Sequence, residues 1–472
     1  MPIIGAVMVP HPPIIIPAVG KGEERKIRKT TEAYQEAMRF ASSLHPDTIV
    51  ITSPHHTMYA DYFNISSGPK AAGDLSQFRA PGARVEIRYD AGLRKELCDL
   101  AEQADFPAGT LGERAKSLDH GTVVPLLFLQ EACPGLPFQF LRIGLSGLPL
   151  TDHYRLGQLI REASDRLDRR VFLIASGDLS HKLREDGPYG FDPAGPKYDE
   201  KIMKTMGEGD FGTLFDFDPS LCEQAAECGH RSFVIMAGAL DRTAVKAAAL
   251  SHEDIFGVGY GVCLFQPLGP DPARNFLDQE ETKEAAALAQ RKASEDGYVR
   301  LARKALEAYV RRGERLEMPG DLPEDLTEEE RAGLTGRRAG AFVSLHESGR
   351  LRGCIGTIGP TRASLAEEIC ENAVSAATRD PRFSPVKVRE LDRLEYSVDV
   401  LGEPEPISSK NDLDPSKYGV IVTKGGRRGL LLPDLAGVDT PDQQIAIARE
   451  KANISKWERG VKLQRFQVVR HV

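Results

Sequence analysis

Residues 169–181 have the sequence RRVFLIASGDLSH, and this stretch decides the fold of the first part of the chain. Val171 to Ala175 form a β-rich apolar run that predicts a fully buried strand, and Gly177 and Asp178 turn the chain before His181. A second stretch has the same pattern of a buried strand that ends before histidine. TEAYQEAMRFASSL (31–44) predicts an amphipathic helix, the run Thr48 to Thr52 predicts a buried strand, and SPHH (53–56) ends it. This alternation predicts an α/β domain with a mixed, mostly parallel sheet flanked by helices.

Histidines follow the ends of these predicted strands. Nine of the eleven histidines precede residue 270. His11 follows the apolar segment from Ile3 to Val9, while His55, His56 and His181 follow the two strands described above. Because the carboxyl ends of parallel strands share one edge of an open sheet, we expect these imidazoles at one ligand-binding edge. His120 lies in a turn before another apolar run, with Asp119 beside it to orient the ring or accept a proton.

A carboxylate near these histidines would suit a redox iron site. Two neutral imidazoles and one carboxylate on one face leave open positions on non-haem Fe(II). Glu227 in EQAAECGHRSFVIMAGAL is the best candidate, because a Gly-containing turn there runs into a predicted helix from Ser232 to Leu240. The neighbouring Cys228 is the alternative, as a soft ligand.

The composition excludes several classes of protein. A net charge of -8 and a pI near 5.9 argue against nucleic acid as a partner. No apolar run is long enough for a membrane helix, and nothing resembles a signal peptide. The seven cysteines are widely spaced without a CxxC pair, which predicts no disulfide framework and a cytoplasmic location.

The second part of the chain has a different pattern. A Pro/Gly-rich and then charged segment predicts a linker over 269–288, which separates domains at 1–268 and 289–472. Beyond it, a helix from Tyr298 to Val310 and alternating strand runs predict an α+β domain with mostly antiparallel pairing. A candidate site there comprises Arg352, Cys354, Arg379 and Asp380; Cys354 lies between glycines, and buried free cysteine is the competing interpretation.

Five motifs in the first part together resemble the LigB-type class III extradiol ring-cleaving dioxygenases and their Memo-type relatives. They are VPHPPIIIP, SPHH, LDHGTVVPL, SGDLSHKL and AECGHRSF. The resemblance implies an Fe(II) enzyme that opens a catechol-like substrate with dioxygen, with zinc or copper as alternative metals. It implies His11, His55 and Glu227 as metal ligands, His181 as the acid/base and His120 as a residue that holds substrate or oxygen. His56 remains an alternative to His55, because the two residues are adjacent. Cys228 remains an alternative to Glu227, because Memo-type relatives place a cysteine at this position.

The second part resembles the AMMECR-type domain through LRGCIGT, TRDPRFSPV and LEYSVDVL. The fusion of the two domains resembles the AmmeMemoRadiSam system protein A family, whose name implies a radical SAM protein as partner. The resemblance therefore leaves two functions open. One is a dioxygenase whose second domain recognises substrate or partner; the other is a metal-binding or peptide-binding adaptor. Neither the substrate nor the oligomeric state follows from the sequence.

Overall fold

The fold is described from a computed structural model that covers residues 2–347, 349–435 and 437–472. The chain divides into two compact units, Met1–Thr282 and Lys283–Val472. The division falls within the predicted linker 269–288, most of which is helical in the structure, as part of a helix from Phe276 to Ser294. Each unit is described by itself below.

The first unit is built on a six-stranded sheet with helices on both faces. Its strands are β1 (Ile3–Val9), β2 (Thr48–Ser53), β3 (Phe63–Asn64), β4 (Lys70–Leu75), β5 (Ala80–Arg88), β6 (Ala108–Gly109), β7 (Gln139–Gly144), β8 (Val171–Ser176), β9 (Thr243–Glu253) and β10 (Tyr260–Pro270). Its helices are α1 (Pro17–Gly20), α2 (Arg28–Ser43), α3 (Ala91–Gln103), α4 (His120–Ala132), α5 (Leu150–Arg166), α6 (Ala194–Glu208), α7 (Pro219–Ala225) and α8 (His230–Ala239). The helix α9 (Phe276–Ser294) crosses the boundary between the units.

The order of strands confirms the predicted mixed, mostly parallel sheet. The order is β7-β2-β8-β1-β10-β9, with β7, β2, β8 and β1 parallel and the pairs β1–β10 and β10–β9 antiparallel. Every residue of β2 and β8 is buried, as expected for parallel strands covered on both faces. Because β2, β8 and β1 are neighbours, the residues that follow them come together at one edge.

The second unit is α+β, as predicted. Its helices are α10 (Gly297–Arg312), α11 (Glu328–Gly336), α12 (Leu365–Thr378) and α13 (Pro441–Lys451). Its strands are β11 (Ala341–Glu347), β12 (Arg350–Gly356), β13 (Leu394–Leu401), β14 (Glu405–Ile407), β15 (Gly419–Lys424), β16 (Arg427–Leu431), β17 (Lys462–Phe466) and β18 (Val468–His471). They form two four-stranded antiparallel sheets with the orders β12-β11-β13-β18 and β14-β17-β15-β16.

None of the described helices combines the length and the apolarity that a membrane crossing needs.

Candidate metal centre

Three imidazoles converge near the carboxyl ends of β1 and β2, the parallel strands on either side of β8. His11 follows β1, His55 follows β2, and His120 is the first residue of α4. Their ligand nitrogens all lie within 4.8 Å of one another. The ring centroids of His55 and His120 are 4.0 Å apart, and those of His11 and His55 are 4.8 Å apart. His11 is buried, His120 is half-buried and His55 is exposed, so the cluster has a closed inner side and an open outer side.

A second group of potential ligands shares His11. His11, Asp178 and Cys228 also have ligand atoms within 4.8 Å of one another. The Nε2 atom of His11 lies 2.9 Å from His55 Nε2, 3.7 Å from Cys228 Sγ and 3.8 Å from Asp178 Oδ2. Two nitrogens that bind one ion, each at about 2.1 Å and with an angle at the ion near that of a tetrahedron or octahedron, would be about 3 Å apart. The 2.9 Å between the Nε2 atoms of His11 and His55 is close to this value. Nitrogen, sulfur and oxygen donors around one point suit a divalent transition metal.

The tautomer of His11 follows from its hydrogen bonds. Pro125 lies inside α4 and has no backbone N–H, so the carbonyl of Gly121 loses its usual helical donor. The Ser176 hydroxyl donates to this carbonyl at 2.6 Å. Since a serine hydroxyl has a single hydrogen, its oxygen can only accept from His11 Nδ1, which lies 2.9 Å away. His11 Nδ1 therefore carries the proton, and its Nε2 lone pair faces the cluster, as in metal-binding histidines.

Removal of the Ser176 hydroxyl tests this arrangement. We expect Ser176→Ala to lower metal affinity by about 10–100-fold, because His11 loses the acceptor that orients its ring and tautomer. Titration of metal-free protein with Fe(II) or Zn(II) measures this affinity. The matched control is Ser164→Ala, because Ser164 is equally buried and its hydroxyl donates only to the carbonyl of Ile160 within α5. Equal affinities in the two variants would contradict the role of Ser176.

Burial keeps the imidazoles in their neutral form. Desolvation, with a smaller effect of His55, lowers the pKa of His11 to about 3. Desolvation, followed by the nearby His55 and His11, lowers the pKa of His120 to about 3. Desolvation also lowers the pKa values of His55 and His181. At neutral pH all four rings are therefore neutral, and each has a nitrogen lone pair available to a metal cation.

The structure decides between the adjacent candidates. The Nε2 atom of His56 lies 2.8 Å from Asn64 Oδ1 and the ring is buried, so His55 and not His56 faces the cluster. Glu227 is in neither group of potential ligands among the described residues, and its role as the carboxylate ligand stays a prediction. Its Oε2 accepts the backbone N–H of His230 at 2.7 Å, at the start of α8. Cys228 and Asp178 occupy the position expected for Glu227 beside His11.

The predicted catalytic histidines lie in the same region. His120 was expected to hold substrate or oxygen, whereas the structure places it among the three clustered imidazoles. Asp119 does not orient the His120 ring by any hydrogen bond of the described residues; its carboxylate caps α4 and accepts from Ser53 Oγ at 2.5 Å. The ring of His181 stacks on Tyr189 with centroids 5.0 Å apart. Burial raises the pKa of the nearby Asp178 carboxyl, and the backbone N–H of His11 and the His181 ring oppose that shift only in part.

Sequence reasoning missed Asp178 as a potential ligand. The clue in the sequence was the position of Asp178 just after the buried strand β8, at the same edge of the sheet as His11 and His55. The Asp178 backbone N–H contacts Cys228 Sγ at 3.3 Å, and Asp178 Oδ1 accepts the His11 backbone N–H at 2.8 Å. Asp178 thus holds together the two loops that carry the second group of ligands.

The comparisons with known proteins agree with this architecture. A family model described as "Catalytic LigB subunit of aromatic ring-opening dioxygenase" matches residues 5–263, more than half of the chain. The chain belongs to the LigB family. An AMMECR1 family model matches residues 299–471, so this LigB-family chain carries an AMMECR1 domain.

One relative matches this chain over its whole length, and others match only part of it. A protein of Clostridium acetobutylicum is 39% identical over 100% of this chain and 99% of its own length. A protein of Thermotoga maritima is 51% identical over 38% of this chain and 98% of its own length. A crystal structure of an uncharacterized protein from Pyrococcus horikoshii has 32% identity and a TM-score of 0.33, covering 37% of this chain and 88% of that chain.

The four candidates in the AMMECR1 domain are only partly brought together. The Cys354 backbone N–H donates to Asp380 Oδ2 at 2.9 Å, so these two residues are in contact. Arg352 pairs with Glu390 at 2.7 Å, and Arg379 pairs with Glu371 at 3.1 Å. Arg379 therefore does not join Cys354 by any described hydrogen bond. Arg382 takes that place, because its guanidinium binds both Asp380 and the carbonyl of Cys354.

Proposed function

We propose that the LigB-family unit binds one divalent transition metal ion, Fe(II) in the first place, and uses it to oxidise a catechol-like or related small molecule with dioxygen. The single observation that carries this proposal is the convergence of His11, His55 and His120. The family match supports the reaction class. Zinc and copper remain alternative metals, because the donor types suit them as well. The AMMECR1 domain would recognise the substrate or a protein partner.

Different residues of the chain would bind the metal and transfer the proton. His11, His55 and His120 would hold the metal, with Asp178 and Cys228 beside it. A bound Fe(II) would supply Lewis acidity, which favours the anionic form of a substrate hydroxyl, together with one-electron redox chemistry. His181 would take the proton of that hydroxyl, because its half-buried ring is neutral at physiological pH. The exposed side of the cluster at His55 would admit the substrate.

The test is metal content and oxygen uptake in full-length protein purified without oxygen. We expect about one iron per chain, and catechol-dependent oxygen uptake. His11→Ala should lose the metal and the uptake. Glu227→Gln is the matched control: its side chain still accepts from the His230 backbone N–H, so we expect it to retain the metal. Loss of metal in Glu227→Gln with retention in His11→Ala would contradict the proposed ligand set.

A second function rests on Cys228 and Asp178. A thiol beside His11, in place of the expected Glu227 carboxylate, suits a protein that holds metal without oxygen chemistry, as an adaptor for a partner such as a radical SAM protein. Burial, with the nearby Asp178 and Glu227, raises the pKa of Cys228, so this thiol stays protonated until a cation binds. Stoichiometric metal without uptake of oxygen, for any simple catechol, would favour this adaptor over the enzyme.

A further inference from the structure

The AMMECR1 unit contains a cavity of about 940 Å³. Its floor is one face of the sheet β12-β11-β13-β18, including Ser344 and Cys354, which are paired across β11 and β12. Apolar side chains cover much of the remainder; they are Leu288, Phe342, Leu351, Leu430, Leu431, Leu432 and Leu435. This volume, with apolar walls and a few polar groups, is typical of sites for small organic molecules.

Two arginines in the cavity are fixed by buried carboxylates. Arg382 binds Asp380 through Nε and Nη2 at 2.9 and 2.7 Å, and Arg470 binds Asp399 through Nε and Nη2 at 2.8 and 3.2 Å. Asp380 is 5% exposed and Asp399 is 3% exposed, whereas the arginine side chains are 54% and 46% exposed. No hydrogen bond of the described residues uses Nη1 of either arginine. Each guanidinium therefore keeps donors for an anion, in the planar geometry that suits carboxylate and phosphate.

The acidic side chains that line the cavity already have cationic partners. Asp399 pairs with Arg470, Glu395 with Arg291, and Glu295 with Arg303. Lys451 adds a further positive charge to the lining. An anion entering the cavity therefore meets neutralised acids and partly exposed cations.

Cys354 lies on the floor of this cavity, in contact with one of the arginines. Its Sγ accepts the Ser344 hydroxyl at 3.2 Å, and its carbonyl accepts Arg382 Nη2 at 3.4 Å. The hydrogen bond with Asp380 raises the pKa of Arg382, so this guanidinium stays charged beside Cys354. The thiol thus reports on whatever binds to Arg382.

We propose that this cavity binds a small organic anion. Its carboxylate or phosphate group would bind Arg382 and Arg470, and its apolar part would pack on the leucines of β16 and the segment that follows. Cys354 would lie next to the bound molecule. This site uses none of the residues of the metal centre, so it is independent of the function proposed for the first unit.

Alkylation of Cys354 with two reagents of similar size tests the proposal in the full chain. In each reaction the cysteine sulfur forms a C–S bond, iodide leaves and the thiol proton passes to solvent. Iodoacetate carries a carboxylate and iodoacetamide does not. Peptide mass spectrometry measures, for each cysteine, the rate with iodoacetate divided by the rate with iodoacetamide. We expect this ratio to be at least about tenfold higher at Cys354 than at the partly buried Cys133. Arg382→Gln should abolish this difference.

A control variant and two anionic ligands test whether the effect depends on Arg382 and on the charge of the bound molecule. Arg465→Gln removes a paired arginine of the same unit that does not line the cavity, and should leave the ratio unchanged. Benzoate and phenyl phosphate should protect Cys354 and bind in calorimetry, at least about tenfold more weakly in Arg382→Gln, and the tighter of the two identifies the anionic group. Protection by benzyl alcohol as strong as by benzoate would overturn the proposal. An unchanged ratio of the two alkylation rates in Arg382→Gln would also overturn it. The same holds if Cys354 reacts with neither reagent and calorimetry detects no binding of benzoate or phenyl phosphate.

Discussion

Arg142→Met is expected to lower the free energy of unfolding of the first unit by about 3–5 kcal/mol, the usual cost of removing one partner from a buried ion pair. The Arg142 side chain, on the edge strand β7, is 0% exposed. Its Nε donates to Ser66 Oγ at 2.7 Å, and its Nη2 lies 3.2 Å from Glu113 Oε1. Without the guanidinium, Glu113 and the partly buried Asp119 would lose the cation between them and keep only neutral hydrogen-bond donors, from Ser67 and from Ser53 and Thr122.

Arg142→Met should also weaken metal binding. Arg142 Nη1 donates to the carbonyl of Ser117 at 2.8 Å and lies 3.6 Å from Asp119, which immediately precedes His120. Loss of these contacts frees the segment that positions His120. We therefore expect weaker metal binding in Arg142→Met together with its lower stability.

The measurement can separate the two units within the full chain. Hydrogen exchange resolved by peptide achieves this, because peptides up to Thr282 report on the first unit and peptides from Lys283 report on the second. The control is Arg28→Met. Arg28 is 80% exposed and pairs with Glu32 one turn away, so its loss should cost below about 1 kcal/mol. A similarly small loss for Arg142→Met would contradict the role assigned to the buried network.

Gly177→Ala is the second change expected to have a large effect. Gly177 follows β8, and a Cβ atom there would lie 2.1 Å from the backbone Cα of Gly229. A backbone neighbour cannot turn away as a flexible side chain can, so the two loops must separate. These loops carry Asp178 and Cys228, whose contact with His11 depends on that close approach.

We expect Gly177→Ala to lower the unfolding free energy by about 1–3 kcal/mol, as overpacking does, and metal affinity by at least about tenfold. Chemical denaturation and metal titration measure the two effects separately. Gly82→Ala is the matched control in the same unit, because nothing lies within 4 Å of its added methyl group. If Gly177→Ala bound metal as tightly as the control, the approach of the two loops would not matter for the site.

The repeating patterns of the chain were sufficient to predict the fold. The buried runs at Val171 and Thr48, with an amphipathic helix between predicted strands, predicted the α/β class, since hydrophobic periodicity depends on local sequence alone. The rule that parallel strands share one carboxyl edge also predicted that His11, His55 and His181 belong to one region. The second unit was predicted as α+β for the same reason, from alternating strand runs such as residues 394–401.

Only the tertiary structure decided which side chains form each site. His56 turns to Asn64, and Glu227 turns to the backbone of His230, so their sequence neighbours His55 and Cys228 face His11 instead. Adjacent residues have the same local pattern, and their side-chain directions depend on partners far away in the sequence. The pairing of Arg470 with Asp399 across β13 and β18 likewise joins residues 71 positions apart. Short-range periodicity sets the strands and helices, whereas long-range packing sets which atoms meet at their ends.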